Sequence, residues 1–202
     1  MRVLNDDKQI AILDAARKEF ILKGFKDASM RNIAQEANVG LSNIYNYFKN
    51  KDEIFQEILR PARSELYSFI QEQHSEANID YNRTTSFGHQ EEVIDYYIDL
   101  ICKYKEEYRL LLFHTNGSSL CDFRESFIDY LTKISFSYMD LERKHYPNMK
   151  KLSPFLVHII SSWMVTLLGE IVTHDLEKPR IREFYKEFFR FEYAGWRELT
   201  ET

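Results

Sequence analysis

Gly40-Leu41-Ser42-Asn43-Ile44-Tyr45-Asn46-Tyr47-Phe48 brings two carboxamides, one hydroxyl and two phenols into nine residues. A carboxamide pairs bidentately with the edge of adenine, whereas hydroxyls and ammonium groups mostly meet phosphate oxygens. Helical spacing turns Val39, Ile44 and Phe48 inward and leaves Leu41, Ser42, Asn43, Tyr45 and Asn46 on outer faces. Arg31 and Lys51 frame the run, each expected at a helix start, where backbone N–H groups and a cation together favour a phosphate. Tyr45 adds a hydroxyl for the same purpose, while Tyr47 and Phe48 are expected chiefly to pack. Catalytic spacings are absent: there is no G-x-S-x-G, H-E-x-x-H, C-x-x-C, P-loop or G-x-G-x-x-G. Glu170 and His174 stand at i and i+4 without a third ligand, which reads as a surface pair. The expectation is therefore no enzyme, no metal and no cofactor.

The elements that must hold those side chains are short and well punctuated. Ser29 can cap a helix whose buried face is Met30, Ile33, Ala34 and Ala37, and Asn38-Val39-Gly40 turns the chain into a second helix ending at Phe48. Two short helices joined by a glycine-containing turn form a helix-turn-helix pattern, although any hairpin of helices with a glycine looks similar. A preceding helix from about Asp7 to Lys23 is stopped by Gly24. Asn50, with Glu53 three residues on, opens a long helix to about Gln73, with a kink expected at Pro61.

The run Ile-Leu-Asp-Ala-Ala-Arg-Lys-Glu-Phe from Ile12, then Gly24-Phe25, Ser29-Met30-Arg31-Asn32-Ile33-Ala34, Val39, Ile44-Tyr45-Asn46-Tyr47-Phe48 and Lys51-Asp52-Glu53, strongly resembles the DNA-binding domain of TetR-type transcriptional regulators. The resemblance covers about the first 60 residues in detail. It departs where the family often has Ser-Lys-Gly-Thr and this chain has Gly40-Leu41-Ser42-Asn43, and where the family often has His in place of Asn46. It implies DNA contacts from Ser29, Arg31, Leu41, Ser42, Asn43, Tyr45, Asn46, Tyr47 and Lys51 on a palindromic duplex operator. It also implies an all-α chain of two domains, a reader over 1–50 and a helical effector-binding and dimerisation domain over 51–202. The implied activity is that of a ligand-released repressor acting as a homodimer. Two other readings stay open: a DNA-binding co-regulator without a small effector, and a helical carrier with a vestigial reader.

Composition agrees with helices. In 202 residues there are six Gly and four Pro, too few to punctuate an all-β chain of this length. The net charge is −5, unevenly spread: residues 1–60 sum to +1 and the remainder to −6. Cys102 and Cys121 lack metal-type spacing and suit a reducing cytoplasm, and Met1 to Asp7 lacks the apolar run of a signal peptide. Leu152 to Gly169 carries no Asp, Glu, Lys or Arg, yet Pro154, His158, Ser161, Ser162 and Thr166 interrupt it, which favours a helix buried in protein over a membrane span.

Downstream of a polar loop from Ala77 to His89, helices are expected from Gln90 to Phe113, Ser119 to His145, Ser153 to His174 and Arg180 to Leu199. Their excess of Tyr and Phe suits an apolar pocket with a few polar handles, for which Tyr97, Tyr104, Phe113, His114, Phe127, Tyr130, His158 and Trp163 are the candidates. The expected occupant is a small apolar or aromatic effector. The last two helices are expected to form the homodimer interface through Phe155, Ile159, Ser162, Thr166, Phe184, Phe188 and Phe191.

Overall fold

The structure is a computed structural model that describes residues 6–79, 87–174 and 176–200. Most of the expected loop Ala77–His89 and the first five residues lie outside the described set. Among the described residues every regular element is helical. The α-helices are α1 (Asp6–Asp27), α2 (Met30–Glu36), α3 (Leu41–Ile44), α4 (Lys51–Gln73), α5 (Phe87–Lys103), α6 (Lys105–Phe113), α7 (Phe123–His145), α8 (Pro154–Thr173) and α9 (Lys178–Thr200), with a short 3₁₀ turn at Glu76–Asn78.

The start signals act as their chemistry requires. Ser153 Oγ accepts from the Leu156 N–H at 3.2 Å, opening α8 with Pro154 in its first turn. Asn50 Oδ1 accepts from the Glu53 N–H at 2.8 Å, and the Glu53 carboxylate accepts from the Lys49 N–H, a reciprocal cap on α4. Gly24 adopts φ 71° and ψ 175°, a conformation open to glycine alone, and one further turn follows it to Asp27. Pro61 does not end α4, which runs on to Gln73. The helical stretch expected from Gln90 to Phe113 is interrupted at Tyr104, between α5 and α6.

The chain divides into two compact units, Met1–Ser64 with Glu106–Arg124, and Glu65–Lys105 with Glu125–Thr202. The expected domain boundary after residue 50 thus lies inside the first unit. That unit has a core of Ile12, Ala16, Phe20, Ile33, Ile44, Ile54 and Phe55, all fully buried. Phe55 meets Phe20 and Phe25 at ring-centroid distances of 4.9 and 5.0 Å.

A second strand of chain completes the first unit. The Phe25 N–H donates to the His114 carbonyl at 3.0 Å, and the Ser119 N–H donates to Asp52 Oδ1 at 2.8 Å. Arg17 Nε donates to the buried Glu107 carboxylate at 2.6 Å. In the second unit α5 and α9 pack antiparallel, with Glu91, Asp95 and Asp99 facing Lys186, Arg182 and Lys178 in reverse order. These pairs are exposed enough to fix register more than stability.

Candidate functional site

The helix-turn-helix is present, with a shorter second helix than its sequence pattern suggests. Helix α3 ends at Ile44, not Phe48, and Tyr45 to Tyr47 close into a tight turn. The Tyr47 and Phe48 N–H groups both reach the Ile44 carbonyl, at 2.9 and 3.0 Å, which draws Phe48 into the core. Ser42, Tyr45 and Asn46 are exposed, and Leu41, Asn43 and Tyr47 are half-buried. Asn46 Nδ2 donates to Asn43 Oδ1 at 3.0 Å, so the two carboxamides form one unit.

At the start of α2, Ser29 Oγ accepts from the Asn32 N–H at 3.5 Å, while its own N–H donates to Glu19 Oε1 at 3.0 Å. Glu19 also accepts from Lys23 Nζ and Asn32 Nδ2. Burial alone would raise the Glu19 carboxyl, but these donors outweigh it and hold its pKa below the ordinary value. Arg31 is exposed on α2.

Lys51 stands differently from its expected role. Its ammonium donates to the carbonyls of Phe25 at 2.6 Å, Ala28 at 3.0 Å and Lys26 at 3.2 Å, and burial lowers its pKa. An ammonium has three protons, and here three carbonyls take them. The residue ties α4 to the end of α1 and has no proton left for a phosphate in this arrangement.

The second unit holds a cavity of about 800 Å³, partly open to solvent and within the usual range for small-molecule sites. Its lining comes from α4, α5, α7, α8 and α9. Of the eight pocket candidates, Tyr97 and Phe127 line it. Phe113 and His114 belong to the first unit and are exposed. Tyr104 turns its hydroxyl to Glu65, and Tyr130 packs on Tyr67 with ring centroids 4.6 Å apart. His158 sits 3.5 Å from Thr132 Oγ1, and Trp163 lies outside the lining against Phe188 and Phe191.

The titratable groups of the lining are one histidine, two glutamates and several tyrosines. His74 Nδ1 is 2.8 Å from the Ile70 carbonyl, and burial lowers its pKa, keeping the ring neutral. Tyr97 is pushed up to about 12 by burial and accepts a hydrogen bond from Tyr185. Glu142 and Glu192 also line the cavity, and burial alone pushes each up to about 7. Sequence reasoning missed both. The available signal was Glu142 amid Tyr138, Met139 and Tyr146 at helical spacing, and Glu192 beside Phe189, Tyr193 and Trp196.

Comparison with known proteins bears on the first unit most directly. Residues 12–58 match the bacterial regulatory proteins, tetR family. The first unit thus carries a tetR-family segment. Over 60 residues it is 43% identical to the HTH-type transcriptional regulator YhgD of Bacillus subtilis, covering 30% of this chain and 31% of that one. Over 56 residues it is 38% identical to the HTH-type nicotine-responsive transcriptional repressor HdnoR of Paenarthrobacter nicotinovorans, covering 28% and 29%. The chain thus spans less than a third of either curated relative. A crystal structure of a TetR-like transcriptional regulator from Rhodococcus sp. RHA1 superposes with TM-score 0.63 at 16% identity, covering 98% of both chains, which extends the fold likeness to the helical second unit.

In the second unit the expected interface residues fall into two groups. Phe155, Ile159 and Thr166 are exposed along one face of α8, with Ser162 half-buried beside them. Phe191 is 65% exposed on α9, and Phe184 is half-buried. Phe188, by contrast, is buried within its own subunit, edge-on to Trp163 at 5.1 Å. Helix α8 is long and apolar enough to cross a membrane by length and composition, yet Val157, Ser161, Val165, Leu168 and Val172 bury its opposite face in protein. Among the described residues no group of three or more His, Cys, Asp or Glu could hold a metal ion.

Proposed function

We propose that the chain is a cytoplasmic, homodimeric, ligand-released transcriptional repressor that reads a palindromic DNA operator through α2 and α3. The observation that carries this reading is the exposed polar row Ser42, Tyr45 and Asn46, presented by a helix-turn-helix whose Ile44 and Phe48 lock inward, within a tetR-family segment. Asn43 and Asn46 are the base readers of this proposal. Ser29, Arg31, Leu41, Ser42, Tyr45 and Tyr47 lie beside them as backbone contacts, and Lys51 passes from phosphate contact to structural tie. The exposed apolar stripe Phe155, Ile159, Trp163 and Phe191 supports a symmetric contact between two copies of α8 and α9.

The cavity in the second unit supports effector control over a co-regulator that answers to no small molecule. An effector preferring one arrangement of the dimer displaces the equilibrium by its difference in affinity between the two. The test is selection of duplexes from a random pool by the full-length protein, followed by titration of the enriched sequence. An inverted repeat bound with strong salt dependence is expected. Failure to enrich any sequence rejects the reading.

A further inference from the structure

We propose that the cavity takes a lipophilic organic cation, its charge held by Glu142 and Glu192 and its apolar body by the aromatic lining. This rests on the reading of the cavity as an effector site and names the chemical class of the effector. Among the described residues that line it there is no Lys or Arg, so its only fully charged candidates are the two carboxyls. Neither makes an ion pair within the described structure, and for each the cause of the upward shift is burial alone, with no cation opposing it. Both are half-buried on the cavity wall, and a carboxylate partly shielded from water without a partner is costly, which favours its protonated form.

An entering cation reverses that balance. It supplies the missing partner, favours the ionised carboxylates and displaces their protons to solvent. An anion gains nothing from this wall, because it would face two carboxyls and no positive group.

The walls fit the same occupant. Glu192 lies one helical turn before Trp196, and Glu142 one turn after Met139; Trp196 packs against the cluster that contains Met139. Both carboxyls thus stand within a turn of one aromatic-rich end of the cavity, which also carries Tyr138, Tyr146 and Tyr193. Faces of Trp and Tyr attract an organic cation through their ring quadrupoles, most strongly where water is excluded. The histidine and the two perturbed phenols of the lining do not compete. His74 is neutral, and burial raises Tyr97 and Tyr138, so these phenols stay protonated.

The experiment is calorimetry of the full-length protein with tetraphenylphosphonium and tetraphenylborate, two ions of matching shape and opposite charge. At pH 8 the phosphonium is expected to bind at least about tenfold more tightly than the borate. The Glu142→Gln/Glu192→Gln double variant is expected to lose that preference. At pH 7, binding of the phosphonium to the wild-type protein is expected to release protons, seen as a heat that depends on the buffer's ionisation enthalpy. Equal or tighter binding of the borate, or a preference that survives in the double variant, overturns the proposal. Should the double variant not fold, the charge preference and proton release of the wild type still decide. An effector that is neutral, fills the cavity and releases DNA would reject the cation class and leave the regulator reading intact. Phosphonium that binds as expected while DNA stays bound would do the opposite.

Discussion

Lys51 Nζ lies 2.6 Å from the Phe25 carbonyl oxygen and 4.5 Å from the centroid of that same residue's ring. One ammonium therefore binds both the backbone and the aromatic face of a single residue. Its other two protons go to the carbonyls of Lys26 and Ala28, where the chain leaves α1. Carbonyls at a helix end carry partial negative charge, so a cation there is stabilising.

Replacement Lys51→Met keeps the stem and removes the charge. It is expected to lower stability by about 1–2 kcal/mol. The slope of log affinity against log salt on the operator should remain that of the wild type. Denaturant melts and titrations at several salt concentrations check both. An unchanged melt with a slope reduced by about one per subunit would return Lys51 to the phosphate backbone.

The bonded pair Asn43 and Asn46 makes a different signature. Each single change to Ala is expected to cost about 1–3 kcal/mol on the preferred operator and to flatten discrimination at a base position. Because each carboxamide orients the other, the double variant should cost less than the two singles combined, by about 0.5 kcal/mol or more. Simple additivity in the cycle would mean that the pair does not act as one reader.

Gly24 is confined by two independent facts. Its φ of 71° lies where side chains are strained, and an added Cβ would stand 3.4 Å from the His114 Cβ. Gly24→Ala is expected to destabilise the protein by about 1–3 kcal/mol in chemical denaturation. A stability equal to the wild type would show that the turn adapts.

The two cavity carboxyls give stability a pH dependence of defined sign. Their folded pKa, about 7, exceeds the ordinary 4.5, so between those values the folded state holds more protons than the unfolded one. Their contribution therefore favours folding at low pH and is lost as pH rises from 4.5 through 7. Glu19 and Asp52, held below their ordinary values, act in the opposite direction at lower pH. The difference between wild type and the Glu142→Gln/Glu192→Gln variant isolates the cavity pair. The variant should be the more stable protein at pH 8, with the gap closing toward pH 5. A constant gap across that range would contradict the burial argument.

The dimer is tested at its most exposed residues. Ile159→Glu with Phe191→Glu places charges at positions 46% and 65% exposed in the single chain, so folding should survive. Sedimentation should then show a monomer at micromolar concentration, with operator binding lost. A variant that remains dimeric would move the interface elsewhere.

Local grammar was easy to read. Ser29, Asn50 and Ser153 cap the helices they precede, and Gly24 turns where a positive φ was needed. These signals depend on neighbours within four residues. Lys51 illustrates what lies beyond them, since its partners are more than twenty residues away and a backbone carbonyl has no sequence identity. The cavity shows a second limit. Helix α9 is aromatic on several faces, so the pattern that marked Phe191 for a partner could not reveal that Glu192 and Trp196 face inward. Tyr104 and Tyr130 fit the pocket composition equally well and were claimed by Glu65 and Tyr67 instead.

The first unit is assembled from two stretches of chain that are not contiguous, Met1–Ser64 and Glu106–Arg124. Portability follows from that. A chimera that borrowed only the leading stretch would strand the Phe25 N–H, Asp52 and Arg17 without His114, Ser119 and Glu107. The transferable cassette is the leading stretch with its later insert, and exchanging recognition between relatives requires grafting both halves of that discontinuous module together.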